Sequence, residues 1–186
     1  MLYGLSNEES VVLDACVLAP MPLCDFLLLC AEKRGFFRPL WSDETLVELH
    51  RTLEKFGCSA NQIERRLRFM RNAFPEASVL VSPSLLETVP AIPDSGDRHV
   101  VAAAMQANAR SIVTFNLRHF PQRALKPFGI SVFSPDEFLV SLFYRDPLRI
   151  LEIIDAQAYQ IRQTKTTVLD RLKTDLPEFV ALVGGT

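Results

Sequence analysis

The sequence is sparing with the residues that most often announce a chemistry. Its four cysteines, Cys16, Cys24, Cys30 and Cys58, form no CxxC pair and sit in apolar stretches. Buried, reduced thiols are therefore expected rather than a disulfide framework. The three histidines, His50, His99 and His119, lie on separate segments and make no HExxH or Cys/His pair. That sets a zinc hydrolase aside and points to surface positions, with contact to a nearby acid or to RNA as the other option for His99 and His119. No glycine-rich phosphate loop occurs, and LDACV lacks the second aspartate of a phosphotransfer motif. The longest apolar runs, such as FLLLCA, are far too short to span a bilayer. MLYGLSNEES carries two glutamates and no basic segment, so no signal peptide is expected and the protein reads as soluble and cytoplasmic. A formal net charge of −2 excludes a uniformly basic nucleic-acid coat but not a local basic patch. There is no repeat, no low-complexity tract and no aromatic-interleaved RNA-recognition motif.

What remains is an ordinary globular composition. With 186 residues, 48% hydrophobic and 23% charged, the chain holds one domain with a sizeable core. Val11-Val12-Leu13 reads as a buried strand ending at Asp14, and SVLVS (78–82), SIVT (111–114) and ISVF (130–133) as three more. Helices are expected from Pro22 to a stop at Gly35, and from an N-cap at Ser42 through Leu46, Leu49 and Leu53 to Gly57. A third follows a capping box at Ser59 and Gln62, with Ile63, Leu67 and Met70 inward. A fourth runs through DRHVVAAAMQAN, laying Val100, Val101, Ala104 and Met105 on the sheet. A fifth starts at Ser134 with Pro135 and Glu137. Strands alternating with helices imply a parallel sheet with helices on both faces. Residues 1–145 form this α/β unit, and 146–186 a helical extension packed on it or on a second copy.

Carboxylates fall where such a sheet binds ligands, beyond the carboxyl ends of the strands. Asp14 closes the first strand, with poor access to water and a need for a partner. Asp94 and Asp97 occupy the loop entering the fourth helix, where Asp97 can equally be a plain helix cap. Glu48 lies about 200° from Leu46 on the helical wheel, off the apolar stripe, and pairing with Arg51 is its simpler role. Two carboxylates about 4 Å apart repel by about 4 kcal/mol at an effective dielectric of 20, which a hard divalent ion relieves. The stretch from Thr114 to Asn116 closes the third predicted strand. Thr114 can bond a ligand or its own backbone. Arg65, Arg66, Arg68 and Arg71 form the clearest basic cluster. They suit an RNA backbone, an acidic protein segment or simply solvent.

The words LDACVLAP, WSDETLVEL, PDSGDRHVVAAA and VTFNLRHFP, in this order over roughly residues 11–140, resemble the PIN-domain ribonucleases. The resemblance implies a three-layer α/β fold with a central parallel sheet, and RNA hydrolysis with magnesium or manganese. It implies kinship with toxins of VapC type, restrained by an antitoxin and often homodimeric. By position it makes Asp14, Glu48, Asp97 and Asn116 the catalytic set, with Asp14, Asp97 and Asn116 on the metal and Asp94 and Thr114 in support. Asn116 stands where many members have Asp, which leaves open a weakened PIN-like module that binds RNA or protein.

Overall fold

A computed structural model describes residues 9–32 and 35–185; residues 1–8, which hold most of the stretch read for a leader, lie outside them. Five strands form one parallel sheet in the order β3-β2-β1-β4-β5. They are β1 (Ser10–Leu13), β2 (Arg38–Ser42), β3 (Ser78–Val79), β4 (Ser111–Val113) and β5 (Ser131–Phe133). The α/β architecture is the one expected. β1 lies at the centre because its apolar residues suit burial on both faces: Val11, Val12 and Leu13 are all 0% exposed. Val11 and Leu13 join the larger core on one face, while Val12 joins the smaller one on the other. This is the period-two alternation of a strand.

The larger core is covered by α1 (Ala15–Leu18), α2 (Met21–Glu32), α3 (Asp43–Lys55) and α4 (Ala60–Ala73). The smaller face receives α6 (Arg98–Gln106), after a short α5 (Pro83–Thr88) that contributes no fully buried residue. α6 is buried continuously from His99 to Ala104, wider than the single stripe its sequence suggested. A short α7 (Gln122–Leu125) precedes β5.

Helix starts follow the sequence closely. Ser42 accepts from the Thr45 amide, and the capping boxes Ser59–Gln62 and Ser134–Glu137 both form. α3 stops just before Gly57, whose φ of 81° is a left-handed conformation that glycine enters without steric cost.

Two strand expectations need correction. β2 was not anticipated: its five residues contain Pro39, a residue that argues against a central strand. It nevertheless pairs with both β1 and β3, and runs without a loop into α3. The strand expected over 78–82 shrinks to Ser78–Val79, because Leu80 turns outward at 82% exposed.

The remaining helices are α8 (Pro135–Arg145), α9 (Pro147–Gln160), α10 (Lys165–Leu172) and α11 (Pro177–Gly184). They bury Ile150, Ile154, Leu172 and Phe179 in the same core as Leu13 and Phe26. Phe179 lies with its ring centroid 5.4 Å from that of Phe26. The Asp136 carboxylate accepts from the amides of Glu178 and Phe179 at 3.0 and 2.8 Å, which seats the start of α11.

Candidate active site

β1 and β4 are neighbours, and the chain leaves them in opposite directions across the sheet; this is the switch point where open α/β sheets form crevices. Asp14 and Thr114 stand at the two strand ends. Asp14 is 3% exposed, and its Oδ2 accepts from Thr114 Oγ at 2.6 Å and from Cys16 Sγ at 3.1 Å. Thr114, fully buried, also accepts from the Asn116 amide at 2.9 Å. A buried carboxylate thus meets two donors, as burial requires. Cys16 is locked into the same knot. Its thiol is pushed up to about 12 by burial and then by the Asp14 charge, so it stays protonated and donates.

The next cluster comes from the loop before α6 and the turn after β4. Asp94 turns back on itself, Oδ1 accepting from the Gly96 amide at 2.8 Å. This leaves Oδ2 3.7 Å from His119 Nδ1. The same nitrogen lies 2.7 Å from Asp97 Oδ2. Asp94, Asp97 and His119 each offer a donor atom within 4.8 Å of the others; among the described residues no such trio includes Asp14 or Glu48. Asp14 is still close enough to be felt. Burial pushes the Asp97 carboxyl above its ordinary range, the His119 hydrogen bond opposes this, and the charges of Asp14 and Asp94 add to it. Two carboxylates and one ring nitrogen, crowded and partly buried, fit a divalent cation by donor chemistry.

Glu48 sits off the apolar stripe of α3, as its helical position implies, but it meets a histidine rather than Arg51. Its Oε1 lies 3.2 Å from His99 Nε2. That nitrogen is buried and makes no aligned hydrogen bond. His99 Nδ1 is anchored 2.8 Å from Ser42 Oγ. The surface expectation for the two histidines is therefore corrected: His99 is 7% exposed, and His119 is half-buried between two aspartates. His99 is carried inward by the all-round burial of α6. His119 is drawn in by the short 3-10 turn Leu117–His119. A lone histidine has no periodic signature that would have revealed either.

Asn116 is half-buried and opens that turn without a side-chain cap. Of the arginines, Arg65, Arg68 and Arg71 are exposed, whereas Arg66 donates to the carbonyls of Leu18 and Ala19. Arg65, Arg66 and Arg68 line a groove of ≈ 580 Å³ between α2 and α4, with Met21 and Phe69. None of the acids discussed above lines that groove. Asp25 also lines it, with a carboxyl that burial pushes up and Arg66 pulls down. Cys24 and Cys30 are buried as expected, while Cys16 and Cys58 are half-buried.

The class so defined is a parallel α/β sheet protein with acids at the carboxyl rim of its switch point. The PIN domain family matches residues 10–118, more than half of the chain, and the chain belongs to that family. One curated relative, "Putative ribonuclease VapC50" of Mycobacterium tuberculosis, is 42% identical over 89 residues, covering 46% of this chain and 52% of that protein. The chain thus spans about half the length of the relative it matches. A solved structure of FitAB bound to an IR36 DNA fragment aligns over 67% of this chain and 94% of its own, with 15% identity and a TM-score of 0.47.

Proposed function

We propose that this chain is a divalent-metal-dependent endoribonuclease, the toxin of a toxin–antitoxin pair. Membership of the PIN domain family and the name of the VapC50 relative support the class. The observation that carries the chemistry is the meeting of Asp94, Asp97 and His119 at one point, with the Asp14 charge acting on Asp97. When bound, magnesium or manganese supplies positive charge that polarises a phosphodiester and makes water more acidic.

The chain's own residues do the rest. Asp97 would hold the cation, and Asp14, fixed by Thr114 and Cys16 at the end of β1, would add its charge beside it. Asn116 offers an amide oxygen that ligates without adding charge. Glu48, beside His99, is the proton acceptor for the attacking water. Arg65, Arg68 and Arg71 are free of the carbonyl duty that occupies Arg66, and they contact RNA or an acidic antitoxin segment. Residues 1–145 form the nuclease unit, 146–186 the helical extension packed on it, and the working state is a cytoplasmic homodimer.

The test is RNA cleavage by antitoxin-free protein with and without EDTA, beside Asp97→Asn and Glu48→Gln. Cleavage abolished by chelation and by each variant supports the reading. Undiminished cleavage in EDTA refutes it, and no cleavage under any condition favours a PIN-like binding module.

A further inference from the structure

The donor set at the rim is not all oxygen, and this bears on which ion it takes. His119 Nδ1 lies between two carboxylate oxygens, 2.7 Å from Asp97 Oδ2 and 3.7 Å from Asp94 Oδ2. Neighbouring donors around an octahedral ion with bonds of about 2.1 Å stand about 3 Å apart, and the two separations bracket that spacing. Each partner is held from behind. Asp94 Oδ1 is engaged by the Gly96 amide, so Oδ2 is the oxygen left to face the ring. The His119 amide bonds the Asn116 carbonyl at 2.8 Å, and the next side chain, Phe120, is buried at 2%. The imidazole is therefore delivered by a short turn pinned at both ends.

We infer that His119 is itself a metal ligand, giving the site a nitrogen, two-carboxylate face that favours manganese or a later first-row ion over magnesium. This rests on the metal-nuclease reading above and goes beyond it. Magnesium demands hard oxygen donors and keeps its waters, whereas imidazole nitrogen suits manganese, iron and zinc increasingly well. Asn116, one turn earlier, would then be an auxiliary contact rather than the fourth donor. The competing role for His119 is to orient Asp97 through a hydrogen bond while staying off the ion.

Pulsed EPR on the full chain loaded with manganese alone separates the two roles. The expected result is a directly bound nitrogen coupling in the wild type, lost in His119→Asp and His119→Gln and kept in His99→Gln. Manganese affinity should fall at least about tenfold in His119→Gln. His119→Asp, an all-oxygen set, should narrow the preference for manganese over magnesium in competition titrations. A wild-type spectrum without that coupling, together with manganese binding lost in Asp97→Asn, overturns the ligand role of His119 and leaves the nuclease reading standing. No manganese binding by the wild type overturns both. The wild-type spectrum decides even if a variant fails to fold.

Discussion

Thr114→Val is the sharpest test of how the rim is built. Threonine and valine have nearly the same volume, so the change creates no cavity, but the hydroxyl is lost. In the fold that hydroxyl donates to Asp14 Oδ2 at 2.6 Å and accepts from the Asn116 amide at 2.9 Å. Removing a hydrogen bond to a charged group costs about 1.5–3 kcal/mol. The stranded Asn116 amide is half-buried and recovers part of its loss through water, so the total expected is about 2–4 kcal/mol. For a chain of this size that lowers Tm by about 4–16 °C. Thr114→Ser keeps both bonds and should recover most of the loss. Thr114→Val made on an Asp14→Asn background should cost less, since no charge is then left short of a donor. Urea denaturation of the four proteins at pH 7 in EDTA closes the cycle, with an expected coupling of about 1–3 kcal/mol. If Thr114→Val is within 0.5 kcal/mol of wild type (about the spread of a surface change), the hydroxyl does not hold Asp14 and the account of the rim fails.

Three further outcomes follow from the same geometry. Because the Asp97 carboxyl is raised by burial and by its acidic neighbours, the fold binds its proton more tightly than the unfolded chain does. Stability from this group is present at acid pH and lost as pH rises through the raised value. Asp97→Asn in EDTA should therefore melt above wild type at pH 7, with the gap closing towards pH 4; a variant that melts lower at pH 7 contradicts the crowding. Arg66→Ala should cost about 1–3 kcal/mol by stripping the Leu18 and Ala19 carbonyls of their donor. Exposed Arg68→Ala should leave stability within about 0.5 kcal/mol and lower the salt dependence of RNA binding by about one charge; the reverse ordering in denaturation and binding titrations would exchange their roles. Finally, a thiol reagent at pH 8 should modify Cys58 first and Cys16 slowly, since the Cys16 thiol sits at about 12. Rapid labelling of Cys16, read by peptide mass mapping, would show that the knot at Asp14 opens readily.

Local chemistry was the legible part. Ser42, Ser59 and Ser134 announce helix starts because a cap is satisfied within three residues, and all three caps form. The apolar triplet Val11-Val12-Leu13 is legible for a similar reason: a run this short, rich in β-branched residues and closed by Asp14, suits a strand covered on both faces. β2 escaped because pairing on both sides is settled by its neighbours and not by RPLWS, whose proline argues the other way. The contacts that make the site span 57 residues from Ser42 to His99 and 100 from Asp14 to Thr114, and no local period encodes them.

The carboxyl rim shows the same division at finer grain. Strand ends fix how far along the sheet axis a side chain stands, so Asp14, Thr114 and the residues after β4 were rightly sought in one place. Which atom then faces which is decided by turns of three residues. The bond from the Gly96 amide turns Asp94, and the 3-10 turn after Asn116 brings His119 round. The His119 amide bonds back to the Asn116 carbonyl at 2.8 Å, which closes the turn and carries the imidazole towards the loop before α6. A reading that looks for an acid or amide directly after the strand stops one turn short of the imidazole. The lone histidine looked like surface for the same reason. Its partners, Asp94 and Asp97, belong to a loop on the other side of α6 and β4 in sequence, and only the closed sheet brings the three together.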